Sequence, residues 1–246
     1  MSTVVNNVFE ALEYLAGRPD QEVPLSRLAD ALGVSPSRCA FLMKSLLGVG
    51  AVDQAAPRRG YRLGPTIHYL ARNGPFRRDI IDQAEPLVRS FSEQTGEAVV
   101  LVTMPRGCRH MLVAVEGRHD VTIRPDVMHE TDVYATATGR LLLASMPPAD
   151  RQARVRQLGL PGEEWPGIET HDDLVRELDA IASAGEAIED TRPDVVQLAF
   201  RVTDPDGMNM AVGVPVPRFR FAEGTYRDDL LRHGRQLAEA IRQAIT

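Results

Sequence analysis

The sequence predicts an α+β protein in two parts, a small helical part followed by a larger one that alternates apolar strands with helices. Apolar residues recur at helical spacing through the first 50 residues. Beyond Ala98, short apolar runs dominate, and Asp204-Pro205-Asp206-Gly207 is a strong hairpin turn between the last two of them. Asn73-Gly74-Pro75 breaks the chain between the two parts. We therefore expect domains at 1–73 and 74–246, with a mostly antiparallel sheet in the second.

The composition is that of an ordinary globular protein, with 43% hydrophobic and 25% charged residues among 246. No apolar run approaches the roughly 18 residues that a membrane span needs, so we expect no membrane partner. The start of the chain lacks the basic and apolar blocks of a secretory signal. Two cysteines make no disulfide framework, and we predict a cytoplasmic protein.

The net charge of −6 is unevenly distributed along the chain. Residues 1–75 carry eight basic and six acidic side chains, whereas the remainder is strongly acidic. A mildly cationic end on an acidic body is typical of a protein that contacts phosphate with one part only. Lys44 is the only lysine among the 28 basic residues, a bias that fits a GC-rich genome better than it fits binding chemistry.

Three helices are predicted at the start of the chain. Residues 6–17 place Val8, Leu12 and Leu15 on one side, and a shorter helix over about 25–32 ends at Gly33. The third helix begins at once, because Ser35 is placed to cap it and Pro36 suits its first position. Two helices joined by a tight glycine-containing turn predict a helix-turn-helix.

The third helix has two different faces, which makes it the candidate recognition helix. Its apolar face carries Cys39, Leu42, Met43 and Leu46. A short polar and cationic face suits the major groove of DNA. The DNA-binding candidates here are Ser35, Ser37, Arg38, Phe41, Lys44 and Ser45. Taken alone, the stretch also fits an ordinary amphipathic surface helix, and its neighbours favour the DNA-binding interpretation.

A basic hairpin is predicted next. Residues 51–54 and 61–63 are short strand candidates around a turn that carries Arg58 and Arg59. Three helices followed by such a hairpin predict a winged helix-turn-helix, with the wing reaching a flanking backbone or minor groove. We add Arg58, Arg59 and Arg62 to the DNA-binding candidates; the alternative is a solvated turn. A linker helix over about 65–73 closes the domain.

The second part is predicted as a sheet with helices on its faces, the kind of body that encloses a small-molecule pocket. Its first helix runs from about 77 to 95, and Pro86 should kink or split it. Residues 121–123 are a candidate continuation of the sheet. The other predicted strands are 98–103, 111–116, 197–203 and 210–216, and the other helices are 138–144, about 149–158, 171–184 and 226–245.

At this point the chain resembles the IclR family of bacterial transcriptional regulators over nearly its full length. In the first domain the matching residues are Leu25-Ser26-Arg27-Leu28-Ala29, Gly33-Val34, Ser45-Leu46 and Tyr61-Arg62-Leu63-Gly64. In the second they are Glu85-Pro86-Leu87, Thr95-Gly96-Glu97, Ala135 to Ala144 with its Gly139-Arg140 pair, Gly185 before Glu189-Asp190, and Asp206-Gly207. Each motif is short, but their order and spacing make the resemblance specific.

The resemblance implies a ligand-responsive regulator that binds a palindromic operator in double-stranded DNA as a homodimer, often a dimer of dimers. The N-terminal domains would dimerise and read DNA, and a C-terminal GAF-like domain would bind a small organic acid or aromatic metabolite. Members include repressors and activators. The family commonly has arginine where this chain has Phe41, which can pack against a thymine methyl, turn back into the core or contact the partner subunit.

The resemblance also implies an effector site beside the helix that starts near residue 138. An anion is favoured there, because the first N–H groups of a helix lack partners. The matching positions are Ile123, Met128, Ala137, Thr138, Gly139, Glu189, Gln197, Gly213 and Pro215. Gly213 and Pro215 replace residues that are often hydroxylic in the family, which favours a less polar, aromatic ligand. The plainer alternatives are a helix cap for Thr138, a solvated loop charge for Glu189 and core packing for Met128.

The rival hypothesis is an enzyme acting on a small metabolite with an accessory winged helix. No Gly-x-Ser-x-Gly elbow, Gly-Lys-Ser/Thr phosphate loop or metal-ligand spacing is present, so we predict no catalytic residue, cofactor or metal. Cys39 is expected to be inert packing, and Cys108 is a redox candidate or an idle loop thiol. A purely architectural DNA binder leaves the acidic second domain unexplained.

We expect an effector to act on the DNA-binding domains through the linker helices of 65–95.

Overall fold

The computed structural model describes residues 3–54, 59–74, 76–107, 109–121 and 133–246. The chain divides into two compact units, Met1–Phe76 and Arg77–Thr246. The division falls three residues beyond the expected boundary after residue 73. Within the described residues no helix is both long and apolar enough to cross a membrane.

The first unit is built from the helices and the hairpin that the sequence predicts. Its elements are α1 (Thr3–Ala16), α2 (Leu25–Ala31), α3 (Pro36–Gly48), β1 (Val52–Asp53), β2 (Arg62–Leu63) and α4 (Pro65–Asn73). Strands β1 and β2 pair antiparallel. Ser35 caps α3, because its hydroxyl accepts a hydrogen bond from the Arg38 backbone N–H at 3.3 Å, and Pro36 follows at the first position. The apolar face of α3 is buried against the other helices, as predicted.

The second unit is a five-stranded sheet with helices on both faces. Its elements are α5 (Arg78–Thr95), β3 (Val99–Thr103), β4 (His110–Val115), α6 (Ala137–Ala144), α7 (Pro148–Leu158), α8 (His171–Ala184), β5 (Glu186–Glu189), β6 (Val195–Thr203), β7 (Asn209–Pro217), α9 (Arg218–Phe221) and α10 (Gly224–Ala244). The strand order is β4-β3-β7-β6-β5, and every neighbouring pair is antiparallel. The predicted α+β class with a mostly antiparallel sheet is confirmed.

Alternating residues along the strands belong to two hydrophobic cores, one on each face of the sheet. Leu101, Leu198 and Val212 point to one face and pack with α5 and α10. The opposite face carries smaller residues, such as Ala199 and Ala211, and packs with α6 and α8. Successive side chains of a strand point to opposite faces, so the register fixes which residues can reach α6. All candidate effector residues of β5, β6 and β7 lie on this second face.

Several local expectations were wrong. The sequence placed Glu189 on a loop, but it is the last residue of β5, and α9 was missed as well. Helix α5 runs unbroken through Pro86, whose side chain is exposed, so water can replace the missing backbone hydrogen bond. Val121 lies in a bend rather than in the sheet, and residues 122 and 123 lie outside the described residues.

Candidate functional site

The polar face of α3 is open along its whole length. Ser35, Ser37, Arg38, Phe41, Lys44 and Ser45 are all exposed. The side chains of Arg38 and Lys44 form no ion pair with any residue that the structure describes. Since neither cation has an ion-pair partner among the described residues, and the opposite face of the helix is anchored in a core, both are available to an external anion. We therefore keep this face as the candidate DNA-binding surface.

Phe41 does not turn back into the core. Its side chain is 75% exposed, so the core-packing alternative for this residue is wrong. It borders a small apolar cavity of about 170 Å³ that also contacts Val4 of α1 and Leu42 of α3. The neighbouring Ser45 hydroxyl donates to the Phe41 carbonyl at 3.1 Å, which engages the Ser45 proton within the helix. Phe41 is thus free to meet a thymine methyl or a partner protein.

The hairpin is a weaker candidate for DNA contact than α3. Arg59 is exposed, while Arg58 lies outside the described residues. The Arg62 guanidinium is held by Asp53 across the hairpin at 2.7 Å. This hydrogen-bonded pairing also holds the pKa of the Asp53 carboxyl below its usual range. Arg62 therefore has a partner in its own hairpin, which weakens its candidacy for DNA contact relative to Arg38.

The register of the sheet places three candidate effector residues side by side. Glu189 of β5 pairs with Gln197 of β6, which in turn pairs with Pro215 of β7. Gly213 lies two residues from Pro215 on the same face. Glu189 is fully buried, whereas Gln197 and Pro215 are half-buried. The alternative of a solvated charge at Glu189 is wrong.

Thr138 of α6 packs directly on Gly213. A β-carbon built on Gly213 would lie 2.6 Å from Thr138 Cγ2 and 2.9 Å from Val100 Cγ2. Gly213 is therefore needed for the close approach of α6 to the sheet. The structure brings these two candidate residues together, and we take the start of α6 and the row of Glu189, Gln197 and Pro215 as the candidate effector site.

The other two candidates on α6 have packing roles. Ala137 is fully buried within the core on this face. Gly139 faces the Val133 backbone, since a β-carbon on it would lie 2.2 Å from the Val133 carbonyl oxygen. Thr136, rather than Thr138, caps the helix by accepting from the Gly139 N–H at 3.2 Å. The candidates Ile123 and Met128 lie outside the described residues.

Arg109 is a site residue that the sequence reasoning missed. It lies just before β4, is buried, and its guanidinium donates to the hydroxyls of Thr136 and, at 3.2 Å, Thr138. A buried arginine at the start of α6 adds positive charge to that of the helix N-terminus. Its position after the turn at Gly107 and before an apolar strand could have drawn attention to it, but nothing local indicates that its side chain reaches α6.

Glu189 has one carboxylate oxygen without a hydrogen bond. Its Oε1 accepts from the backbone N–H of Thr191 at 2.7 Å and from the Thr191 hydroxyl. Its Oε2 is buried and has no hydrogen-bond partner among the described residues, and Arg192 Nε lies 4.0 Å from it. A buried carboxylate oxygen is costly to leave unsatisfied, so it can accept a donor from a ligand.

Two motifs of the resemblance stabilise the domain. Arg140 is buried, donates to the Tyr134 and Glu164 carbonyls at 2.7 and 2.8 Å, and lies over the Trp165 ring at 4.3 Å. Burial lowers the pKa of Arg140 to about 10. In the second motif, the Glu97 carboxylate accepts hydrogen bonds from the Arg220 guanidinium and from the Tyr226 hydroxyl. Neither arginine is therefore needed to explain ligand binding.

Across the described ranges, no group of three or more His, Cys, Asp or Glu side chains could hold a metal ion. Cys39 is buried in the first core, and burial raises the pKa of its thiol. Cys108 lies outside the described residues.

Comparison with known proteins decides the family. The family model described as "Bacterial transcriptional regulator IclR C-terminal" matches residues 76–243, more than half of the chain. The chain belongs to the IclR family. Its fold agrees, because the IclR transcriptional regulator of Alicyclobacillus acidocaldarius superposes with a TM-score of 0.80 over 100% of both chains at 21% identity.

Three other proteins are also similar to this chain. The HTH-type transcriptional regulator TtgV of Pseudomonas putida is 25% identical over 167 residues, covering 66% of this chain and 61% of TtgV. The match thus spans less than two thirds of TtgV. The HTH-type transcriptional regulator BhcR of Paracoccus denitrificans is 24% identical over 205 residues, covering 81% of this chain and 72% of BhcR. An IclR homolog of Microbacterium hydrocarbonoxydans complexed with 4-hydroxybenzoate has a TM-score of 0.79 at 18% identity over 98% of both chains.

Proposed function

We propose that this IclR-family chain is a ligand-responsive transcriptional regulator rather than an enzyme. It binds a palindromic operator as a homodimer, or as a dimer of dimers, through the exposed face of α3. A small effector binds between α6 and the sheet of the second unit and changes the affinity for DNA. The observation that carries the proposal is the open face of α3, where two cations without an ion pair in the described part of the chain lie opposite a buried apolar face.

The two cations of that face suit different kinds of DNA contact. Lys44 is a point charge suited to a phosphate, whereas the planar guanidinium of Arg38 can bind a guanine edge through two hydrogen bonds. Arg38 lies in the first turn of α3, and the first residues of a recognition helix are those that reach base edges. We therefore assign Arg38 to sequence reading and Lys44 to backbone contact.

The DNA-binding test begins by selecting duplexes from a random pool with the full-length protein. A dimer should enrich a sequence with two-fold symmetry. Arg38→Ala should then lower affinity for the selected duplex by about 1–3 kcal/mol, roughly 5- to 150-fold, while affinity for shuffled duplexes falls much less. Lys44→Ala should weaken both by a similar factor and reduce the salt dependence.

Arg156→Ala is the matched control, because Arg156 is an exposed arginine on α7 of the second unit. It should leave both affinities unchanged. Enrichment of no sequence, or unchanged discrimination by Arg38→Ala between selected and shuffled duplexes in gel shifts, would contradict the assignment.

The effector site favours a ligand with two different ends. Arg109 and the start of α6 favour a carboxylate or another acceptor. The open Oε2 of Glu189 favours a hydrogen-bond donor such as a hydroxyl. A hydroxylated aromatic acid has both groups, and 4-hydroxybenzoate, the ligand of the Microbacterium homolog, is the natural first probe.

The effector test compares 4-hydroxybenzoate with benzoate by titration calorimetry. The wild type should prefer the hydroxylated acid by about tenfold or more, since a hydrogen bond to a charged group is worth about 1.5–3 kcal/mol. Glu189→Gln should reduce the preference to a few fold, because a neutral amide is the weaker acceptor. Glu186→Gln is the control, since Glu186 lies on the same strand but pairs with Arg235 on the other face.

An equal preference in the wild type and Glu189→Gln would refute the role of Glu189. Failure of both acids to bind the wild type would contradict the proposed ligand chemistry while leaving the DNA-binding result intact. Because an effector must favour one state over the other, the acid that binds more tightly should also change affinity for the selected duplex.

A further inference from the structure

The second unit contains an open-mouthed cavity of about 430 Å³ at the opposite end of α6 from the proposed effector site. Its wall is formed by the chain after β3, the last turn of α6, helix α7 and the β6–β7 hairpin. None of the proposed effector residues that the structure describes lines it. We propose that this cavity binds a second small molecule, uncharged and mainly aromatic, and that its occupancy is communicated to Thr138.

The apolar part of the wall favours an aromatic ring. Met104, Met146 and Met208 come from three separate segments and converge on this cavity together with Leu142. We call it the methionine cavity. Methionine side chains adapt to irregular shapes and make favourable sulfur–aromatic contacts. The volume lies within the range of about 300–1,000 Å³ that is usual for small-molecule sites.

Apart from the exposed Asp150, the polar side chains of the wall are hydrogen bonded within the protein. Thr103 Oγ1 donates to the Asn209 carbonyl at 3.0 Å, and Asn209 Nδ2 donates to the Ser145 carbonyl at 2.8 Å. Arg154 donates to the Gly107 carbonyl at 2.9 Å and to Gln157 Oε1 at 3.1 Å. A ligand is not required to satisfy these groups, so the cavity is suited to an uncharged molecule held by apolar contacts.

A short segment connects the methionine cavity to the effector site. Gly107 contacts Arg154 in the cavity wall, and a β-carbon on Gly107 would lie 2.9 Å from Arg154 Nε. Two residues later, Arg109 donates to the Thr138 hydroxyl. A ligand that displaces Arg154 therefore acts directly on Gly107, two residues before Arg109.

The β6–β7 hairpin gives the cavity a second connection. Met208 is in the wall, and the Arg77 guanidinium contacts both Met208 Sδ at 3.8 Å and Asp204 at 2.7 Å. Arg77 is the first residue of the second unit. The methionine cavity therefore borders the β6–β7 hairpin, and the same hairpin contacts Arg77, the residue at which the second unit begins.

The test uses the full-length chain with isotope-labelled methionine and threonine methyl groups, and indole as the probe. Indole should shift the methyl resonances of Met104, Met146 and Met208 with one saturable curve, and the Thr138 methyl should follow the same curve. Benzoate at the same concentrations should leave the three methionine resonances unchanged. The resonances are assigned by single Met→Leu and Thr138→Ser substitutions.

Ala153→Trp is the blocking variant, because Ala153 is an exposed residue of α7 that lines the cavity, so the added ring fills its mouth. Ala149→Trp is the matched control, an exposed alanine on the same helix that does not line it. Indole shifts should vanish in Ala153→Trp and persist in Ala149→Trp. Absence of saturable shifts in the wild type, or their persistence in Ala153→Trp, would overturn the site, and an unmoved Thr138 methyl would overturn the communication.

Discussion

The contact between Thr138 and Gly213 makes a sharp prediction about the floor of the proposed effector site. Gly213→Ala introduces a β-carbon 2.6 Å from Thr138 Cγ2 and 2.9 Å from Val100 Cγ2. Thr138→Ser removes only Cγ2 and keeps the hydroxyl that accepts from Arg109. The two substitutions should therefore compensate each other, so that the double variant is more stable than the sum of the single effects predicts.

The magnitudes follow from known packing costs. Overpacking by Gly213→Ala should cost about 1–3 kcal/mol, offset by roughly 0.4–1 kcal/mol from the reduced freedom of the unfolded chain. Thr138→Ser loses a buried methyl group, about 1 kcal/mol. Because the nearest clashing atom is absent in the double variant, the coupling energy between the two sites should be about 1 kcal/mol or more.

The free energies of unfolding are measured by urea titration of the four proteins. Gly224→Ala serves as a control, since a β-carbon on Gly224 would meet no atom within 4 Å. Combined with Thr138→Ser, it should give additive effects. If Gly213→Ala and Thr138→Ser were also additive within about 0.5 kcal/mol, Thr138 would not lie on Gly213 and this floor of the site would be wrong.

Two further predictions concern other buried groups. Arg77→Ala should destabilise the protein by about 2–3 kcal/mol in urea titrations, because it leaves the buried Asp204 carboxylate without its cation. Arg78→Ala is the control and should change stability by less than about 0.5 kcal/mol, because its ion pair with Asp82 is exposed. Equal effects of the two substitutions would contradict this account. Burial raises the pKa of Tyr134 to about 12 from 10, so its contribution to stability is complete below pH 10 and is lost as the pH rises through 12. Tyr134→Phe should reduce the alkaline decline in the free energy of unfolding, and tyrosinate absorbance should lose one of its late-ionising components, the other being Tyr226, whose pKa burial also raises. An unchanged decline would sink this prediction.

The architecture was predictable where local signals agree with the fold. The cap at Ser35, the proline after it and the spacing of Cys39, Leu42, Met43 and Leu46 all indicate the same helix, and the structure has it. Strand β5 was not predicted, because its sequence, Glu186-Ala187-Ile188-Glu189, is short and half acidic. It is a strand because it pairs with β6, and pairing is a tertiary property that a propensity does not contain.

The candidate effector site was only partly predictable for the same reason. The row of Glu189, Gln197 and Pro215 follows from strand register, which the sequence patterns did not specify. Arg109 reaches residues 27 and 29 positions away, and no short motif encodes such a contact. Gly139 matched the family for a packing reason, which sequence alone does not distinguish from ligand binding.

The exposure of Lys44 on α3 has a practical consequence. Since no other residue of the chain is a lysine, a mild acylating reagent has one ε-amino group to modify, apart from the α-amino terminus. The extent of acylation at a single peptide therefore reports how often the side of this helix that we propose to bind DNA is covered, in cell extract as well as in purified samples. The proposed binding to DNA can be followed chemically without attaching any tag to the protein.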